Sequence, residues 1–183
     1  MTDRALQGLA SVLLAGACSN PLAAPDAVSE DGRWRVEGQG SNVVVLDGGR
    51  AVKTLPARRL GGNEDASAVA VRYLPARRSF VIAFDALAEL WELSVDPNAP
   101  PVFDGLVHDY RMGEGVASPG FLGVRRTPLP APVGALAVDA NNNAHVLARS
   151  ADAWWLVNLD IRRPITRFEL APNPELRRSQ GDR

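Results

Sequence analysis

Three apolar runs in this chain end in an aspartate: VVVLD, LSVD and LVNLD, closing at Asp47, Asp96 and Asp160. The intervals are 49 and 64 residues, the second longer by about one loop. What precedes each run is also alike. A first run leads to a polar turn (SEDG, LPAR, DANN), and a second leads to a turn of small residues (GQGS, DALA, SADA). The unit is clearest in residues 66–96, where LPAR and DALA cut three apolar runs, Ala68–Tyr73, Ser79–Phe84 and Glu89–Val95. In the third run Trp91, Leu93 and Val95 alternate with Glu92 and Ser94, the period of two expected of a half-buried strand. A chain that repeats one antiparallel meander is restricted to architectures that set like sheets side by side.

The other two units cover about 26–60 and 133–171. In the first, Asp31-Gly32 is a hairpin signal, because glycine supplies the positive φ that the turn needs. Trp34–Glu37 and Asn42–Leu46 read as strands around the turn Gly38–Ser41, and Gly48-Gly49 turns into Arg50–Leu55. In the third unit the strands are Ala135–Val138, His145–Arg149, Trp154–Leu159 and Ile165–Leu170. Repeats of roughly 40–50 residues with four short strands each are the pattern of propeller blades, as in WD40 and YVTN repeats. A β-sandwich is the alternative. The expected fold is all-β, with about three propeller-type blades of four antiparallel strands. A closed ring needs at least about four blades. The expectation is therefore an incomplete, open β-propeller, whose free edges call for a second copy or a protein partner. A shortened, inactive paralogue of a longer chain is the other reading.

The 183 residues, 46% of them hydrophobic, are enough for one domain with a real core. A net charge of -1 shows no clustered positive excess, so nucleic acid is not an expected partner. The RR pairs at 58–59, 77–78, 125–126, 162–163 and 177–178 read as solvated surface. There is one cysteine, Cys18, so disulfides and cysteine metal sites within one chain are excluded. Two distant histidines make no zinc set. No GxSxG elbow is present, and no glycine cluster opens a helix after a strand.

Residues 1–18 read as an export signal: a polar head with Arg4, then an apolar run from Leu9 to Ala17. That run is too short to span a bilayer, which takes about 20 residues. Cys18 after LLAGA resembles the lipobox of bacterial lipoproteins, which implies lipidation at Cys18, a periplasmic location and membrane attachment through the lipid alone. An ordinary cleaved signal and a non-exported helix are the alternatives. Residues 19–25 read as a linker, 26–172 as the partial propeller, and 173–183 as a polar tail.

The segment 97–132 reads as an inserted loop, proline-dense at both ends and glycine-rich at its centre. Loops of this length are often functional. SEDGRW, LPARRSFVIAFDALAELWELSVD and GLVHDYRMGEG…GFLGVRRT resemble the cytochrome d1 heme domain family. That family includes the d1 domain of cytochrome cd1 nitrite reductase and the NirF-type proteins of heme d1 biosynthesis. The resemblance implies a propeller that binds heme d1 near its axis, and a role in heme d1 biosynthesis or binding linked to nitrite reduction. The family's own heme ligands match no position here. Candidates for a tetrapyrrole site are instead His108, Tyr110 and Arg111 in the loop, by residue type, and Arg125, which has the geometry to clamp a carboxylate. No metal site or catalytic residue is assigned. The alternative is a non-enzymatic interaction module anchored to the envelope.

Overall fold

The computed structural model describes residues 25–103, 117–139 and 141–169. These form twelve strands. The first sheet holds β1 (Asp26–Val28), β2 (Trp34–Gln39), β3 (Asn42–Asp47) and β4 (Arg50–Pro56). The second holds β5 (Ala68–Leu74), β6 (Ser79–Phe84), β7 (Glu89–Ser94) and β8 (Val124–Pro128). The third holds β9 (Ala135–Val138), β10 (His145–Arg149), β11 (Ala153–Asn158) and β12 (Arg163–Glu169). Each sheet is an antiparallel meander in simple chain order. Among the described residues the only helical segment is a 3-10 turn at Pro75–Arg77.

The turns follow the local chemistry. Gly32 adopts φ +70° after Asp31, and Gly48 and Gly49 adopt +56° and +84°, the pair of left-handed residues that a tight hairpin takes. The first strands of neighbouring sheets lie together, β1 with β5 and β5 with β9. β1, β5 and β9 are therefore the inner strands, and β4, β8 and β12 are the outer edges. This is the arrangement of propeller blades rather than of a two-layer sandwich.

Two apolar clusters hold the three blades. Trp34, Val36, Val43 and Val45 of the first blade pack on Phe80, Ile82, Phe84, Trp91 and Leu93 of the second. On the opposite face of the second blade, Val81, Ala83 and Leu90 meet Leu136, Val146, Ala148 and Val157 of the third. The middle blade is thus covered on both sides, and every residue of β6 and β7 is buried. This corrects the half-buried reading of β7. Its alternation of apolar and polar residues does not separate core from solvent. It separates one blade interface from the other, and Glu92, 3% exposed, lies in the second of them.

A second correction concerns the inserted segment. Val124–Pro128 within it is a strand, the outer strand of the middle blade. The sequence VRRTP carries no apolar alternation. It is recruited by pairing, with Arg125 opposite Glu92, Arg126 opposite Trp91 and Thr127 opposite Leu90.

The turns also carry charge pairs. The Ser29 hydroxyl, with the Arg33 backbone N–H, lowers the pKa of Asp31, and hydrogen bonds from Arg33 lower that of Asp47. The Ser150 hydroxyl and then Arg167 lower that of Asp152. A carboxylate depressed in the folded state contributes stability above its ordinary value of 3.8 and loses it as pH falls through the lower folded value. Thermal melts should therefore be insensitive to these groups between pH 7 and about 5, and the loss should begin only below about pH 4. Asp31→Asn and Asp152→Asn should flatten that acid limb. A loss centred near pH 6 that both variants remove would contradict the assignment.

Candidate functional site

Where the first and second blades splay apart at the outer rim, they leave a cleft of about 460 Å³. That volume lies within the usual range for small-molecule sites, roughly 300–1,000 Å³. One wall is β4 and the chain after it: Lys53, Leu55, Arg58, Arg59 and Leu60. The other is β8 and the turn before it, with Phe121, Val124 and Arg126, and Trp91 lies at the base. Alternation along the strands produces this lining. Lys53 and Leu55 stand opposite Val45 and Val43, on the face that packs toward the second blade. Arg126 stands opposite Trp91, on the face toward the first.

Arg126 is the best-fixed cation of the site. Its guanidinium lies 4.3 Å from the Trp91 ring centroid. Nη1 donates to the Arg58 carbonyl at 3.0 Å and to Glu89 Oε2 at 3.2 Å. Its Nε is buried without a partner among the described residues. Glu89 also accepts from Trp91 Nε1 at 3.2 Å, so one carboxylate orients both the platform and the cation on it. The cation–π contact and the charged hydrogen bond act in the same sense. Arg59 reaches Glu89 at 3.6 Å but is largely exposed, and Arg58 reaches Asp65 at 3.6 Å in solvent. Such exposed pairs hold their partners weakly. Lys53 Nζ donates to the Leu122 carbonyl at 2.9 Å and has no carboxylate within 4 Å among the described residues. Among the described residues the cleft is lined by four cations and no carboxylate, Glu89 and Asp65 pairing with the arginines from outside the lining, with the exposed Leu60 and Phe121 at the rim.

The turn that closes the cleft admits no side chain at Gly120. A Cβ there would overlap the carbonyl oxygens of Ala99 and Pro100. Gly120→Ala is expected to displace residues 118–123 and open the cleft while leaving the two apolar clusters intact. A lowered ligand affinity with a near-normal urea midpoint would show this. A variant that binds normally would show that the turn has no such role.

The residues singled out from the sequence fall in several places. His108, Tyr110, Arg111 and Cys18 lie outside the described residues. The bridge Val102↔Ser118 brackets the segment that carries the first three, and Ser118 lines the cleft. Arg125 faces the third blade, away from the cleft. Its Nη1 is 3.9 Å from Glu92, and its Nη2 donates to the Pro100 carbonyl at 3.4 Å. Of the Arg125–Arg126 pair, Arg126 therefore lines the cleft. His145 is held between Asp139, at 3.7 Å, and the amides of Asn142 and Asn158. Each of the three aspartates pairs with an arginine: Asp47 with Arg33 at 2.7 Å, Asp160 with Arg77 at 2.7 Å and Asp96 with Arg78 at 3.3 Å. Asp96 also accepts from the Asn98 N–H, as a turn residue does.

Lys53, Arg58, Arg59 and the Trp91–Glu89 pair were not legible as site residues. Their only signal is the Arg-Arg step beside Gly61-Gly62. No group of three or more potential metal ligands is present among the described residues.

No family model matches the chain, and no curated protein matches it. Solved structures do. The dihydro-heme d1 dehydrogenase NirN, solved in complex with DHE, is similar with a TM-score of 0.60 and 24% identity, over 80% of this chain and 28% of NirN. The β-propeller domain of Cps50 (Swd1) from Myceliophteria thermophila is similar with a TM-score of 0.52 and 15% identity, over 88% of this chain and 44% of that one. The fold is that of a β-propeller. The chain spans less than half the length of either structure.

Proposed function

We propose that this chain is an exported propeller of the cytochrome d1 domain type, lipid-anchored through Cys18, which binds heme d1 or a precursor during its assembly for nitrite reduction. The observation that carries the reading is the likeness to NirN, a protein solved with DHE bound. Support from the chain itself comes from the rim cleft, which lies between the outer strands β4 and β8 and not near the axis, where the resemblance would put the group. A tetrapyrrole is a flat apolar ring with carboxylate arms, and Phe121, Leu60 and Leu55 offer apolar surface beside Lys53, Arg58, Arg59 and Arg126. Guanidinium groups suit carboxylates because they can donate two parallel hydrogen bonds. The described cleft residues include no histidine, cysteine, methionine or tyrosine. His108, with Tyr110 and Arg111 beside it, stands in the segment whose stem reaches the cleft, and is the candidate for that role. When bound, the group supplies its own redox or ligand chemistry. The protein's part is to hold the carboxylates, stack the ring and exclude water from one face.

Titration of the purified protein with heme d1, followed by absorption, tests this reading. A saturable band shift is expected. Lys53→Ala combined with Arg126→Ala should weaken the affinity by about 10-fold or more, the cost of roughly one good charged hydrogen bond. His108→Ala should change the shape of the band more than the affinity. An unshifted spectrum, or one indifferent to the double variant, would count against the cleft.

A further inference from the structure

Glu89 is a buried acid, 8% exposed, set beside a cationic cleft, and carboxylate binding in that cleft has no direct use for it. A negative charge next to an anion site repels the ligand, so on charge alone Glu89 weakens the cleft. Its contacts point the other way. Oε2 accepts from Arg126 Nη1 and from Trp91 Nε1, each at 3.2 Å. On the other side, Arg59 Nε lies 3.6 Å from Oε1. The two arginines are unequal partners. The Arg126 side chain is 21% exposed and that of Arg59 73%. Loss of Glu89 would free Arg59 for a ligand, but an exposed pair of this kind restrains its members little to begin with. It would also release Arg126, leaving it the Arg58 carbonyl at 3.0 Å and the face of the Trp91 ring. A long side chain released from one geometry must be immobilised again when a ligand binds, and that cost is taken from the affinity.

We infer that Glu89 is a positioning residue of the rim cleft, which subtracts charge from the anion site and yet strengthens anion binding by fixing Arg126 on Trp91. Carboxylate binding in this cleft is taken from the tetrapyrrole reading, on which this role of Glu89 rests. Strand register builds the device. Glu89 and Trp91 are alternate residues of β7 and share its face toward the first blade, and Arg126 stands opposite Trp91 on β8. With Nη1 taken by Glu89 and the Arg58 carbonyl, Nη2 is left without a hydrogen bond among the described residues, free to donate to a ligand oxygen. Glu89 acts through Arg126 and does not itself touch the ligand.

Absorption titrations with heme d1 of the parent, Glu89→Gln, Arg126→Ala and the double variant test this role, with urea midpoints of all four to keep folding apart from binding. Glutamine keeps the size and one acceptor oxygen and removes the charge. Glu89→Gln should bind about 5-fold more weakly than the parent, a fraction of one charge-assisted hydrogen bond. In the Arg126→Ala background the sign should change. No guanidinium is left to hold, only repulsion is removed, and Glu89→Gln should bind equally well or more tightly. A general loss of structure would not change sign in this way. In the ligand-free protein, the Arg126 Nε–H should exchange with water slowly in the parent and faster in Glu89→Gln, as read by nitrogen-15 NMR. If the parent binds and Glu89→Gln binds equally or more tightly, or more weakly by one factor in both backgrounds, the role of Glu89 is overturned and the tetrapyrrole reading stands. A parent that binds no heme d1 overturns both.

Discussion

Trp91→Ala should lower the urea midpoint sharply. The ring is 1% exposed, at the centre of the middle blade. It stacks edge-on with Phe84 at 4.6 Å between centroids, and it carries Arg126 on its other surface. Truncating a buried Trp costs about 3–5 kcal/mol, because the apolar area is lost and the space is only partly refilled. A domain of this size has roughly 5–15 kcal/mol in total. The variant also frees Arg126, so any molecules that remain folded should have lost the cleft. Trp91→Phe should recover about half of the stability and little of the cation–π contact. Urea unfolding followed by circular dichroism gives the midpoints. A Trp91→Ala midpoint close to that of the parent would mean that the first two blades do not pack through this ring.

Glu92→Ala should be nearly as damaging, for an electrostatic reason. The carboxylate accepts from Arg77 Nε at 2.7 Å and Nη2 at 3.2 Å, and from the Ser79 hydroxyl at 2.9 Å. Arg77 also reaches Asp160 of the third blade at 2.7 Å, so the pair joins two blades. Burial opposes the charge on Arg77, but the hydrogen bonds and attraction of Glu92, then of Asp160, raise its pKa above the ordinary value. Removing Glu92 leaves a mostly buried guanidinium with only the exposed Asp160. The expected cost is about 3 kcal/mol, the low end for breaking a buried pair. Glu92→Gln keeps the Ser79 hydrogen bond and should cost less, about 1–2 kcal/mol. Arg77→Met in the Glu92→Ala background should be less harmful than in the parent, since no charge is then stranded. If the two substitutions simply add, the residues do not act as a pair.

The fold was largely legible because each blade repeats a local pattern. Turn chemistry at Asp31-Gly32 and Gly48-Gly49, and apolar runs such as VVVL and SFVIAF, specify strands within a few residues of one another. The outer strand β8 was not legible. Its two arginines look like surface charge until Glu92 and Trp91 stand opposite them. The same holds for Arg77, read as surface and found 15% exposed in a blade interface. Charge alternation within a strand does not say whether the second face meets water or another sheet. The cleft was hidden for a related reason. Lys53, Arg59 and Arg126 lie up to 73 positions apart, and only the packing of one sheet on the next brings them together. Arg125 and Arg126 show the limit most directly. Adjacent strand residues point to opposite faces, so the register decides which of the two meets a ligand.

Hydrogen–deuterium exchange, resolved to single strands, bears most directly on the stack of three blades with the middle one enclosed. The slowest amides should be those of Ser79–Phe84 and Glu89–Ser94, which open only with the whole molecule. Arg50–Pro56 and Arg163–Glu169, at outer edges, should exchange fastest among the strands. Equal protection across the three sheets, or the slowest exchange in the first or third, would contradict the arrangement.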